Sequence, residues 1–176
     1  LILACGHSAR DVFELLKDHG IALAQKTFAM GVRIEHPQLD IDRAQYGPSA
    51  GHPALGAAPY KLVAHLPNGR SVFSFCMCPG GFIVPAMTDA AESVVNGMSP
   101  SLRNSPYANS GLVTEVRLDD FAHLRDEWGE LAGLRFQQMF EETARLHGGA
   151  AQVAPAQRVA DFVAGRPSRT LPATSY

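Results

Sequence analysis

The chain has no stretch of about 18 apolar residues, so nothing in it reads as a transmembrane helix. Nor does a basic segment followed by an apolar one open it, as a secretory leader would. Cysteine is scarce. Three in 176 residues, an odd number, argue against a disulfide framework and for a reducing compartment, so the expected location is the cytoplasm. Excess charge is missing too: 15 Lys and Arg stand against 17 Asp and Glu, for a formal net charge of -2. That balance gives no electrostatic case for nucleic acid or an anionic membrane as partner. His-x-x-x-His, Glu-x-x-His and a second Cys-x-Cys are all lacking, and no metal site is expected. What remains is ordinary for a folded domain, 46% hydrophobic and 18% charged, without repeats or low-complexity tracts.

Read along the chain, Leu1 to Ala4 are strand-like, Cys5-Gly6-His7 makes a turn, and Ser8 with Asp11 resembles a capping box opening a helix from Ala9 to His19. A buried strand of this kind needs partners on both sides. Nothing upstream supplies them, so the opening is expected to be the stub of a larger α/β domain. Thr27 to Glu35 alternates as a strand, with Phe28, Met30, Val32 and Ile34 on one face, and Pro37 stops it. A short helix is expected around Leu39 to Ala44. Tyr60–His65 and Ser71–Cys76 read as a hairpin around Asn68-Gly69. Further strands are expected at 82–84, 93–98 and 112–118, the last two separated by a polar loop from 99 to 110. Asp119-Asp120 marks a helix start. Leu131 to His147 is a helix with Leu134, Met139, Phe140, Ala144 and Leu146 on one face, and Pro155 to Ala164 is another. The expected fold class is α+β: a mostly antiparallel sheet with C-terminal helices, preceded by a strand-turn-helix stub of a dinucleotide-binding domain. The expected units are residues 1–26 (the stub), 27–165 (a cap or substrate domain) and 166–176 (a linker to a further segment).

Several groups of residues carry possible chemistry. Strand–Gly6-His7-Ser8–helix has the outline of a hydrolase nucleophile elbow, but Arg10 stands where the second glycine belongs, and Ser8 has a simpler use as a cap. The same geometry suits a nucleotide phosphate or ribose. Cys76 and Cys78 lie at Cys-x-Cys spacing, on one face if the strand is extended. They are either redox groups or small buried apolar residues. Pro79-Gly80-Gly81 permits close approach of backbone to a flat ligand, and its amides suit an anion nest. Arg33, His36, His52, His65 and Arg103 are the remaining polar candidates, with Arg33 and Glu35 facing away from Met30. Asn96-Gly97 is a turn by default, and its amide could serve a ligand, as could Asn109 and Ser110.

Taken in order, LILACGHSARDVFELL, FAMGVRIEHPQ, AQYG, YKL, SFCMCPGGFIVPA, NGMS, ANSGLV and APAQRVADFVAGRPS resemble the middle-to-C-terminal part of the bacterial, largely uncharacterised FAD-dependent dehydrogenases. The resemblance implies a fragment of an FAD-dependent oxidoreductase whose part here covers the flavin and shapes the substrate site. It implies FAD in the intact parent, with Cys5, Gly6, His7, Pro79, Gly80 and Gly81 against the cofactor. Cys76 and Cys78 would be the catalytic candidates, and Arg33 and His36 would lie on the substrate side. The partners implied are a small-molecule substrate and the remainder of the FAD-binding domain. The family's G-x-G-x-x-G phosphate loop is absent from the chain, so the fragment alone is expected to be inactive and not to hold FAD tightly. The competing readings are a serine hydrolase acting through Ser8 and a non-catalytic scaffold.

Overall fold

The computed structural model describes residues 2–6, 8–149 and 152–176. In chain order these form α1 (Arg10–Asp18), β1 (Phe28–Pro37), α2 (Gln38–Tyr46), β2 (Val63–His65), β3 (Ser71–Cys78), β4 (Phe82–Pro85), β5 (Val95–Met98), β6 (Tyr107–Val116), α3 (Arg125–Trp128), α4 (Ala132–Gly148) and α5 (Val159–Val163). The main sheet runs β1-β6-β3-β2, and β4-β5 is a separate hairpin; every pairing is antiparallel. The α+β architecture with a mostly antiparallel sheet is as the sequence predicts.

The longest ladder pairs β1 with β6 from Phe28 opposite Val116 to Pro37 opposite Tyr107. Alternation divides its two faces. Phe28 and Met30 turn to the face covered by a 3-10 segment (Leu118–Leu124) and α4. There Val116, Phe121 and Ala132 form a buried cluster with Phe28, Met30 and Phe136 around it. Phe121 is fully buried, its ring 5.9 Å from Phe28 and 6.0 Å from Phe136. The apolar face expected on α4 is rotated. Ala132 and Phe136, at i and i+4, face this cluster, whereas Met139, Phe140 and Leu146 of the expected face are exposed, Phe140 lying against the outer side of the Phe136 ring. Against the other face, at the Arg33 end, sits the β4-β5 hairpin.

A bidentate ion pair locks the far end of the sheet. Arg70, just past the Asn68-Gly69 turn, donates to Asp120 over 2.6 and 2.8 Å, and the Arg117 amide donates to the same carboxylate over 2.8 Å. The Arg70 hydrogen bonds, with the Arg117 amide, lower the Asp120 pKa from 3.8 to about 2. A depressed carboxylate stabilises the fold above its ordinary pKa, and this contribution fades as pH falls through the folded value. Asp120→Asn is therefore expected to lower the urea midpoint at neutral pH, with the difference from the parent shrinking below about pH 4 and vanishing near pH 2. A pH-independent difference would show that the charge is not what stabilises this corner.

Three expectations at the start and middle of the chain fail. Residues 2–6 form no strand and are exposed; no strand of either sheet lies beside them, and without a ladder partner the apolar residues stay in open coil. Leu1 and His7 lie outside the described residues. Ser8 does not cap α1: the helix starts one residue later, with Ala9 as N-cap and no side-chain hydrogen bond, and the Arg10 amide bonds the Ser8 carbonyl. The helix does end as expected, at Gly20 with φ +68, where the Gly20 and Ile21 amides bond the Lys17 and Leu16 carbonyls in a Schellman arrangement. Finally, β6 begins at Tyr107, inside the expected polar loop.

Segments without regular structure are still tied down. Arg10 bridges Glu92 and Glu141, the latter over 2.6 Å, and holds α1 to α4. The expected helix at 155–164 forms only from Val159 to Val163. Its buried Asp161 accepts from Arg166 and Ser168, and Ser175 hydrogen-bonds Glu35 on β1 and Ile83 on β4.

Candidate functional site

Four residues from β3, β5 and β6 converge on the guanidinium of Arg33 on β1. Arg33 Nη1 donates to Asn109 Oδ1 over 2.5 Å, to the Cys76 carbonyl over 3.2 Å, and to Cys78 Sγ over 3.8 Å. Nη2 donates to Asn96 Oδ1 over 3.2 Å. The cluster exists because Gly97 has no side chain: a Cβ there would fall 2.0 Å from Arg33 Nη1 and 2.3 Å from Asn109 Oδ1. Among the described residues Arg33 has no carboxylate within ion-pair distance, although it is half-buried. Glu35, two residues on and on the same face, is taken up by the backbone amide and hydroxyl of Ser175.

The two thiols are not equivalent, contrary to the extended-strand expectation. A bulge between Phe75 and Cys78 breaks the register, and Cys76 adopts φ +48, a left-handed conformation that a non-glycine residue rarely holds. The bulge turns Cys76 into solvent and leaves Cys78 buried. Burial pushes the Cys78 thiol up, with Arg33 pulling the other way. Cys78 is therefore a neutral packing thiol at physiological pH, and Cys76 is the accessible one.

The Pro79-Gly80-Gly81 turn packs against neighbouring backbone instead of opening as an anion nest. Its amides are already committed: Gly80 N–H donates to Gln38 Oε1 over 2.6 Å and Gly81 N–H to the Tyr107 carbonyl over 2.9 Å. Gln38, buried at the start of α2, also donates to Asp42 and to the Ala58 carbonyl, so one side chain joins three segments. Ser99 adds a hydroxyl to the Pro79 carbonyl over 2.9 Å. The turn therefore fixes where the Cys76–Cys78 bulge sits.

His36 is parted from Arg33 by the pleat. It lies on the opposite face, where Nε2 shares a 2.8 Å hydrogen bond with the Tyr60 hydroxyl. Burial lowers the His36 pKa and raises that of Tyr60, so both are neutral near pH 7. Cys5 and Gly6 are exposed and remote from this cluster in hydrogen bonding; Cys5 contacts only the neighbouring Gly6 carbonyl. His65 and His52 make local bonds to Ser71 and the Ala54 amide. Asn96-Gly97 lies within β5, inside the strand expected at 93–98, so its default reading as a turn does not apply. Ser8 is exposed, has no strand leading into it and makes no side-chain hydrogen bond among the described residues, which removes the geometric basis of a nucleophile elbow. Among the described residues there is no group of three or more potential metal ligands, and no helix is long and apolar enough to cross a membrane. Two cavities of about 410 Å³ lie elsewhere, one between α1 and α4, the other beside Gln38.

A family model described as "FAD-dependent protein, C-terminal domain-like" matches residues 27–176. The chain belongs to this family. The match takes in every strand, the Arg33 cluster and the 76–81 bulge and turn, and leaves out α1. An uncharacterized protein of Clostridium beijerinckii is 44% identical over 172 residues, which is 97% of this chain and 32% of that protein. The chain thus spans about a third of the length of that relative. For a member of this FAD-dependent family, the residues present fit one polar edge of a ligand. Arg33 and Asn96 offer donors there, and Asn109 Nδ2 is buried without an acceptor. They do not fit a pyrophosphate, for which the sequence has no glycine-rich loop.

Proposed function

We propose that this domain forms the substrate side of an FAD-dependent oxidoreductase, a cap presenting Arg33, Asn96, Asn109 and the Cys76 bulge to a flavin held by the rest of the protein. The observation that supports this reading best is a half-buried arginine with neutral partners only, next to an exposed cysteine in strained backbone. A cation kept in place by amide and carbonyl oxygens retains most of its field for a ligand. Backbone strain at a non-glycine residue persists where its surroundings over-determine it, and it concentrates at ligand sites.

FAD, when bound, supplies the redox chemistry. The chain's own residues do the rest. Arg33 orients the ligand, and Asn96 and Asn109 hold Arg33. Cys76 offers the accessible thiol at the same rim, and Cys78 packs beneath it. Pro79, Gly80 and Gly81 hold the rim at its height by their bonds to Gln38 and Tyr107, and approach the cofactor through backbone alone. His36 braces Tyr60 on the reverse face, so its part in substrate contact is indirect. Cys5 and Gly6 belong, in this reading, with the nucleotide-holding part of the protein.

The full-length protein is expected to purify yellow, and its flavin absorption to bleach on anaerobic reduction by an organic donor. Cys76→Ala is expected to slow that bleaching, while Cys78→Ala should chiefly lower stability. A colourless protein that remains so after incubation with FAD would instead favour a non-catalytic scaffold.

A further inference from the structure

We infer that the Arg33–Asn96–Asn109 cluster is a carboxylate-recognition site, so that the substrate handled beside it carries a carboxylate; this rests on the domain being the substrate side of the protein. The argument concerns which way the amides point. Asn109 Oδ1 accepts from Arg33 Nη1 over 2.5 Å. Asn96 Oδ1 accepts from Arg33 Nη2 over 3.2 Å and from the Gly97 amide over 2.8 Å. Because the guanidinium is donor-only, it fixes both side-chain amides with oxygen inward and NH2 away from it. The groups that these amides turn away from Arg33 are consequently donors.

Two donors are left conspicuously without acceptors. Asn109 is completely buried, and its Nδ2 has no hydrogen-bond partner. Arg33 Nε makes no hydrogen bond among the described residues. A buried amide N–H without an acceptor is costly, and folded proteins rarely tolerate it without a ligand or water to satisfy it. The positive charge is likewise unmatched, since the nearest carboxylate along the strand, Glu35, is committed to Ser175. A site that offers donors and a cation selects an anionic oxygen over a neutral one. The arginine fork matches a planar carboxylate in particular.

The full-length protein would be titrated with benzoate and succinate by calorimetry, with benzamide as the neutral control. The carboxylates should bind more tightly than about 1 mM, and benzamide at least about tenfold more weakly. Arg33→Gln should weaken the carboxylates by about ten- to a hundredfold, the range of a charge-assisted hydrogen bond. Since Arg33 also joins three strands, Asn96→Asp is the more telling variant. It is isosteric and places a carboxylate against the guanidinium. It should cut benzoate affinity about tenfold or more while the thermal midpoint holds or rises. Equal binding of benzamide, or an Asn96→Asp protein that binds benzoate like the parent, would overturn the inference, as would failure of either carboxylate to saturate. If Arg33 serves an anionic edge of the flavin instead, Asn96→Asp will shift the flavin reduction potential and leave benzoate binding untouched, which also overturns it. A colourless protein that still binds benzoate sinks the flavoprotein reading and keeps this site; a yellow protein blind to carboxylates does the reverse.

Discussion

Replacing Gly80 by valine is expected to abolish the native domain or to lower its stability by about 4 kcal/mol or more. Three effects add. Gly80 holds φ +51, where an L residue is strained by about 1–2 kcal/mol and a β-branched one by more. A Cβ there would lie 1.8 Å from the Arg103 carbonyl oxygen and 2.2 Å from its carbon, so the obstacle is backbone and cannot swing aside. The turn is also stapled on both sides, with Gly80 N–H on Gln38 and the Ser105 amide on the Gly80 carbonyl. Relief of the clash must break one of these bonds, at about 1–3 kcal/mol for a buried group left unsatisfied. Urea denaturation followed by the fluorescence of Trp128, the single tryptophan in the chain, reads the effect. A midpoint matching the parent's would mean that the turn relaxes freely. Gly80→Ala should be milder, although it meets the same carbonyl.

This turn also illustrates what could be read in the sequence. Pro-Gly-Gly announces a tight turn, and the turn is there. Its function as a donor nest is a different matter, decided by whether the amides are free. The partner that occupies the Gly80 amide is Gln38, 42 residues away, and no local pattern announces such a bond. β1 and β3 were legible for the opposite reason, since the apolar alternation of Phe28 and Met30 and the Asn68-Gly69 turn are local signals. Asn109 and Ser110 defeat a local reading. Both are fully buried in the middle of β6, where they serve Arg33 and the Phe75 carbonyl, so a strand reads as a polar loop. Cys76 defeats it in another way, because a bulge inserts one residue and parts two thiols that an extended strand would keep on one face. The site was half visible. Arg33 and the Cys-x-Cys stretch stand out by residue type, whereas the two asparagines that give Arg33 its direction are ordinary turn formers in any local reading.

Phe121→Ala is expected to be as damaging as the glycine replacement, by a wholly different route. Phe121 is fully buried between Phe28 of β1 and Phe136 of α4, and its ring edge lies 3.3 Å from the position a Gly133 Cβ would take. Truncation removes the transfer energy of the ring and leaves a cavity that three separate elements must close, at about 3–5 kcal/mol. Two aromatic contacts go with it, each about 0.5–1.5 kcal/mol within or beyond that total. Because the buried cluster is small, with Val116 and Ala132 its other buried members, there is little neighbouring apolar mass to flow into the gap. Phe121→Leu retains most of the volume and should recover more than half of the loss in urea midpoint. A Phe121→Ala midpoint within about 1 kcal/mol of the parent would show that α4 is not anchored through this ring. The cluster lies at the Val116 end of the β1–β6 ladder, and Arg33, opposite Gly111, sits five residue pairs away toward the other end. In whatever fraction of Phe121→Leu remains folded, carboxylate affinity at Arg33 should therefore match the parent, since sites this far apart with no shared partner add independently.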